Sequence, residues 1–409
     1  MHFRGSQIFI LAGLFAVCSA QSADWPQWRG PNRDGHSADT GLLREWPKAG
    51  PTLLWKTNGL GGGYSSVAVV KDHIYTLGDG EESSSLHALD TSGKHLWMAK
   101  LGRIGGGGGY PGPRCTPTVD EGRIYAMGQF GDLICVEADS GKELWRKNMK
   151  KDFTGQGGGW GYTESPLIDG EKLICTPGGR EGTLVALNKK NGELLWRAKD
   201  WKDEAQYSSP IVAEIGGVRQ YIQLTGVSVA GIDAKDGSVL WRAARRGSTA
   251  IIPTPIYHDN HVYVTSGYRI GCNLFKITPG TPFTVEQVYA NHNMEDHHGG
   301  VILHGDHIYG HSDSKGWICQ DFKTGEVVWS TNKVGKGSIT FADGHFYLRD
   351  ENRGTVALID ATPEGYREKG RFVQPNRSDK NSWPHPVVAN GRLYLRDQDL
   401  LLCYDLKKQ

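Results

Sequence analysis

Six histidines fall within residues 292–311, in the stretch HNMEDHHGGVILHGDHIYGH, with Glu295 and Asp296 among them. Imidazole and carboxylate are side chains that zinc and copper accept, so the stretch raises a metal site built on His297, His298, His311 and a carboxylate. Whether those rings converge depends on the elements that carry them. Other catalytic signatures are missing: there is no G-x-S-x-G, no H-E-x-x-H and no P-loop. The five-glycine run at 105–109 has no following helix to supply a dipole for a phosphate.

The chain has 409 residues, 38% of them apolar, enough to bury a sizeable core. With 46 basic and 45 acidic side chains the net charge is +1, so no excess field exists to hold a polyanion, and nucleic acid is excluded as a partner. Residues 1–20 read as a cleaved export signal: Arg4, an apolar run from Ile8 to Val17, then Ser19 and Ala20 ahead of Gln21. The run is too short to span a bilayer. Cys18 is the competing lipid-attachment site, but bulky Val17 precedes it where a small residue is usual, so a soluble, periplasmic or secreted chain without a transmembrane helix is expected. Residues 21–49 form an N-terminal extension. The other cysteines, at 115, 135, 175, 272, 319 and 403, contain no C-x-x-C; three recur at one repeat position, which points to buried free thiols.

Five segments share a glycine four residues before a tryptophan: ALDTSGKHLW, EADSGKELW, ALNKKNGELLW, GIDAKDGSVLW and DFKTGEVVW, ending at Trp97, Trp145, Trp196, Trp241 and Trp329. Upstream of each, apolar alternation broken by D-G, E-G or N-G marks short antiparallel strands. The interval from Trp241 to Trp329 leaves room for one repeat without tryptophan (256–283); a seventh follows at 339–366, and the eighth (386–408) stops after its third strand. The strand PTLLWKT (51–57), carrying Trp55, supplies the missing outer strand. The expected fold is therefore all-β, an eight-bladed propeller over residues 50–409 with four-stranded antiparallel blades, closed by an N-terminal strand and expected to be monomeric. The tryptophans are assigned to packing between blades.

The G-x-x-x-W signature preceded by A-x-D resembles the tryptophan-docking motif of the pyrroloquinoline-quinone (PQQ) propeller repeat, over about residues 50–408. DWPQWRGPNRDGHS (24–37) also looks like the lead-in of exported PQQ-like propeller proteins. The resemblance implies one of two functional branches: quinoprotein dehydrogenases, which oxidise alcohols or sugars with PQQ and calcium, or BamB-type scaffolds, which hold no cofactor. The near-bare ring and the absence of adjacent cysteines depart from the first; the weak lipid-attachment site departs from the second.

Aligning the innermost strands places a ring of small residues (Ser66, Thr116, Ser165, Ser209, Thr254, Gly300, Ser338, His385) beneath a wider ring (Tyr64, Arg114, Thr163, Tyr207, Ile252, His298, Lys336, Trp383). This describes a funnel for a polar ligand with an anionic edge, or else the mouth of a water-filled pore. Glycine-rich loops at 59–64, 105–114 and 155–162 enter this face, where their amides can approach a bound group. Glu164 is expected to pair with Arg114. His297 and His298 face the funnel, whereas His304 and His307 lie at the far end of a five-residue strand, about 16 Å away. Adjacent residues on extended chain point to opposite sides, so His297 and His298 are not expected to share an ion. The histidine stretch then reads as funnel wall and polar surface, not as a metal site.

Two functions follow. The preferred one is a cell-envelope binding or scaffold protein that takes a small polar ligand or an envelope partner at the funnel. The alternative is a quinoprotein oxidoreductase acting on alcohols or sugars, with Arg114 and Lys336 on the PQQ carboxylates, Trp383 stacking, Glu164 on calcium, and Tyr64, Tyr207, His297, His298 and His385 completing the site.

Overall fold

The computed structural model describes residues 23–408; the expected export signal, Cys18 and the expected cleavage point before Gln21 lie outside them. Thirty-two strands form eight four-stranded sheets, the expected ring of antiparallel blades. Among the described residues, helix is confined to Met149–Phe153 and a 3-10 turn at Gly107–Gly109. No helix there is long and apolar enough to cross a membrane.

The strands are short because two-residue turns interrupt the alternation. Asp120 pairs with Arg123 across Glu121 and Gly122, whose φ values are 44° and 74°. Ala342 pairs with His345 across Asp343 and Gly344, at 45° and 79°. Two successive left-handed residues make the type I′ turn, whose twist matches that of the strands it joins.

Leu53–Thr57 lies outermost in the eighth blade, beside Leu400–Asp405, with Leu53 opposite Tyr404 and Trp55 opposite Cys403. The first strand of the described residues thus completes the last sheet and closes the ring. Around the ring, indole Nε1 donates to a carbonyl of the next blade: Trp55 to Thr91 (2.9 Å), Trp97 to Ala138 (3.2 Å), Trp145 to Lys189 (3.1 Å), Trp196 to Ala234 (3.3 Å) and Trp329 to Thr362 (3.2 Å). The glycine of the next blade receives the ring face. A Cβ at Gly141 would stand 2.4 Å from Trp97. The two residues of each signature therefore serve opposite seams, the glycine accepting the preceding blade and the tryptophan reaching the following one. Rings of this size bury on the order of 150–250 Å² each, worth several kcal/mol at roughly 25 cal/mol/Å².

Two seams differ. Trp241 Nε1 donates to Gln220 Oε1 in its own blade at 2.7 Å, since the fifth blade turns through 279–282 and offers no such glycine; the ring is still buried with Val262 and Phe275 of that blade. The fifth blade also runs past residue 283, to an outer strand at Thr284–Asn291. There Tyr289 stands for the absent tryptophan, resting on Gly325 and donating to Phe322 O at 2.9 Å. Six cysteines are buried and free, as expected. Cys135, Cys319 and Cys403 do share one register position, each between a tyrosine and a tryptophan of its blade, such as Tyr125 and Trp145.

Candidate functional site

The channel is not an open pore. Residues 25–37 occupy it and tie six innermost strands to one peptide. Trp25 bridges Val69 of the first blade, and Pro26 O accepts from Val119 N of the second at 2.8 Å. Trp28 Nε1 donates to Thr254 Oγ1 of the fifth blade at 2.9 Å, and Arg29 Nη2 to Val301 O of the sixth at 2.5 Å. Arg33 donates to Ser165 O and Pro166 O of the third at 2.6 and 3.1 Å, and Ser37 N to Phe341 O of the seventh at 2.8 Å. The carbonyls that closely packed inner strands leave unpaired toward the axis are satisfied by these guanidinium and amide donors.

Above this plug lies a cup of about 170 Å³. Its floor is Trp28, Ser165, Ser209 and His385, the last with its ring centroid 4.6 Å from that of Trp28 and tilted by 50°. On the wall Trp383 sits between Tyr64 (4.5 Å) and Tyr110 (4.9 Å), while Trp160 meets Tyr207 at 5.9 Å and Tyr268 meets His297 at 4.6 Å. The glycine-rich loops deliver Tyr64, Tyr110 and Trp160, but their backbone serves the protein itself. Gly61 N and Gly105 N donate to Asp399 and Asp79 at 2.7 and 2.8 Å. A Cβ at Gly112 would lie 2.5 Å from Gly63 Cα, so glycine lets neighbouring loops touch rather than letting amides reach a ligand.

Of the residues expected at the funnel, Tyr64, Arg114, Tyr207, His297, His298, Trp383 and His385 line the cup. Glu164 and Lys336 do not. Glu164 is 2% exposed and accepts from Thr176 N at 2.5 Å and Gln223 Nε2 at 3.3 Å, so the expected pair with Arg114 does not form. Arg114 instead lies over the Tyr64 ring and donates to the carbonyls of Tyr110 and Trp160 at 2.6 and 3.3 Å. Lys336 Nζ is held by Asp313 at 2.7 Å and His297 Nδ1 at 2.5 Å. The hydroxyl collar is partly spent on joining blades: Thr116 N donates to Ser165 Oγ, and Ser165 N to Ser209 Oγ, both at 2.9 Å.

A bend at His298–Gly299 turns both adjacent histidines toward the cup, their centroids 5.3 Å apart, against the expectation of opposite sides. His304 and His307 pair at the far end of the strand, and His311 packs on Trp317. Among the described residues no three His, Cys, Asp or Glu side chains gather to hold a metal ion. Trp28, Tyr110, Trp160 and Tyr268 were not expected at the site. The first three sit inside stretches already notable for tryptophan or glycine, whereas Tyr268 carries no local signal.

Lys336 donates to Nδ1 of His297, which places the ring proton on Nε2 and directs it to Tyr268 Oη at 2.7 Å. Burial, then the charges of His298 and Lys336, lower the His297 pKa to about 4. The Tyr268 phenol proton is thereby left free to donate. His298 Nε2 and Trp383 Nε1 both donate to Glu351 Oε2, at 2.6 and 2.7 Å. Burial pushes the Glu351 carboxyl upward, but His298 and Lys336 outweigh it and hold the pKa at about 2. His385 is lowered to about 3 by burial and by Arg29.

These residues do not fit PQQ with calcium. A tricyclic tricarboxylate needs several cations and its metal needs carboxylates, whereas the cup is lined by one guanidinium and no Asp or Glu. A dry cavity of about 150 Å³ holds one benzene ring, so the volume suits a single ring.

Fold and cup together define a single-ring propeller of the PQQ-like repeat class, closed by the strand at Leu53–Thr57 and plugged by residues 25–37. The chain belongs to the family described as outer membrane protein assembly factor BamB, whose model matches residues 82–331. It is 23% identical over 286 residues to the BamB of Shewanella oneidensis, covering 63% of this chain and 65% of that relative's length. It is 21% identical over 405 residues to that of Burkholderia pseudomallei, covering 94% of this chain and 93% of the relative. The crystal structure of quinohemoprotein alcohol dehydrogenase from Comamonas testosteroni superposes with a TM-score of 0.62 at 11% identity, over 94% of this chain and 81% of that one, a likeness of fold alone.

Proposed function

We propose that this protein is an exported, monomeric scaffold of the cell envelope that engages its partner at the funnel face, in the manner of an outer membrane assembly factor. The observation that carries the reading is the plugged, carboxylate-free cup: the ring is built to present a face, and the donor set of a quinone enzyme is not assembled in it. Family membership over most of the ring supports the same reading. Tyr110 and Tyr268 stand exposed at the mouth, 40% and 37% accessible, with Arg114 and the glycine loops around them.

The test is photo-cross-linking in the producing cells, with the probe at Tyr268 and, as control, at Gly344 in a far-face turn. Adducts with an outer-membrane protein from Tyr268 alone are expected. Equal adducts from both positions, or none with envelope proteins, would sink the reading. A rise in melting temperature and dye reduction after adding PQQ and calcium to purified protein would favour the oxidoreductase instead.

A further inference from the structure

We propose that the cup is a binding site for a small aromatic carboxylate, a ligand of one flat ring with an anionic edge. This deepens the funnel-face reading above, since it names what that face holds in addition to a protein partner.

The walls set the ring. Trp383 between Tyr64 and Tyr110, and Trp160 beside Tyr207, offer π faces at the mouth, and Trp28 stays only half-buried at the floor although it lies inside the channel. Such faces stack on a flat apolar ring, and about 170 Å³ admits one ring with a small substituent.

The polar groups set the charge. Ser165 Oγ and Ser209 Oγ each accept from a backbone amide; the Ser165 hydroxyl is directed to the Cys115 sulfur, whereas that of Ser209 is left to donate into the cup. Tyr207 Oη accepts from Trp160 N at 3.2 Å, and Tyr268 Oη receives the His297 proton, so both phenols also have a proton to give. Arg114 adds a fixed positive charge at the wall. No carboxylate side chain lines the cup to accept in return. A cavity with the hydroxyls of Ser209, Tyr207 and Tyr268 as donors and one cation, whose side-chain acceptors are all uncharged, selects an acceptor-rich anion.

Competing ligand chemistries are disfavoured by the same residues. Aromatic cages attract quaternary ammonium groups, but the Arg114 guanidinium already lies 5.5 Å over the Tyr64 ring and repels a second cation. A neutral sugar needs side-chain acceptors for its hydroxyls, and the lining lacks Asp, Glu, Asn and Gln.

The experiment uses the purified full-length mature chain and tryptophan fluorescence with calorimetry, titrating benzoate, benzyl alcohol, glucuronate and tetramethylammonium. Benzoate is expected to quench and to bind at least about ten-fold tighter than the other three, an ordinary margin for a charge-assisted contact. Arg114→Gln is expected to abolish the margin over benzyl alcohol. Ile252→Trp, which fills the cup from the fifth blade, is expected to abolish benzoate binding at unchanged melting temperature. Should Arg114→Gln fail to fold, the wild-type ranking and Ile252→Trp decide. Benzoate binding no tighter than benzyl alcohol or glucuronate, or undisturbed by Ile252→Trp, overturns the proposal. Since no partner is present, that failure is separate from failure of the cross-linking test.

Discussion

The indole of Trp55 lies against Gly93: a Cβ there would stand 2.7 Å from ring carbon Cε3, and Gly93 has φ of 86°. Trp55 belongs to the strand that closes the ring and Gly93 to the first blade, so this contact spans the seam between the two ends of the propeller. Gly93→Ala must both strain the backbone and push the ring away. We expect a loss of about 2–4 kcal/mol, against about 1 kcal/mol for Gly344→Ala, which has a similar φ and nothing near its would-be Cβ. Urea melts of the two variants check the difference, and equal losses would refute the packing role.

Arg33 donates to Ser165 O, Pro166 O and Gln27 Oε1 at 2.6, 3.1 and 3.0 Å from within the plug. Arg33→Met keeps length but leaves buried carbonyls unpaired. The expected cost is about 2–4 kcal/mol, with Trp28 becoming more accessible to acrylamide. A variant as stable as the parent and equally resistant to quenching would show that the plug does not anchor the ring.

Stability should peak on the acid side of neutrality. Glu164 and Asp296 are raised to about 7, chiefly by burial. A raised carboxyl contributes its full stability below its unfolded pKa near 4 and loses it as pH climbs through about 7. Glu351, held at about 2, acts oppositely: its contribution is present above about pH 4.5 and is lost as pH falls toward 2. Glu164→Gln is therefore expected to match the parent at pH 4 and to exceed it by about 1–3 kcal/mol at pH 8. Denaturant melts across that range measure it, and an unchanged pH slope counts against burial outweighing the donors around Glu164.

The cysteines should be silent until the ring opens. All six described thiols are buried, and burial raises Cys115 and Cys403 to about 12 and Cys175 well above its usual value. Little thiolate of these three then exists at pH 8 to attack a disulfide reagent, and burial keeps the reagent from all six. Native protein is expected to release no thionitrobenzoate within minutes and denatured mature chain to release the equivalent of six thiols. Fewer than six after denaturation without reductant would reveal a disulfide.

Much of the architecture was legible because its rules are local. Period-two alternation, E-G and D-G turns and a glycine four residues before a tryptophan act within one blade or between neighbours, and they specify eight blades, the partner of Trp55 and the shared position of Cys135, Cys319 and Cys403. The fifth blade hides its outer strand from the same rules, since Tyr289 does the work of a tryptophan under another name.

The amino-acid order by itself thus determined the ring and its closure. Only the tertiary structure decided what the axis holds. Residues 25–37 repeat nothing, and their partners lie as far along the chain as Thr254, Val301 and Phe341, so no periodicity announces that they fill the channel. Glu164 and Lys336 were placed at the funnel by alignment, yet Thr176 and Asp313, supplied by other strands and turns, draw them out of it. Side-chain direction at a mouth follows the nearest unsatisfied partner in space, and that partner is known only once every blade is in place.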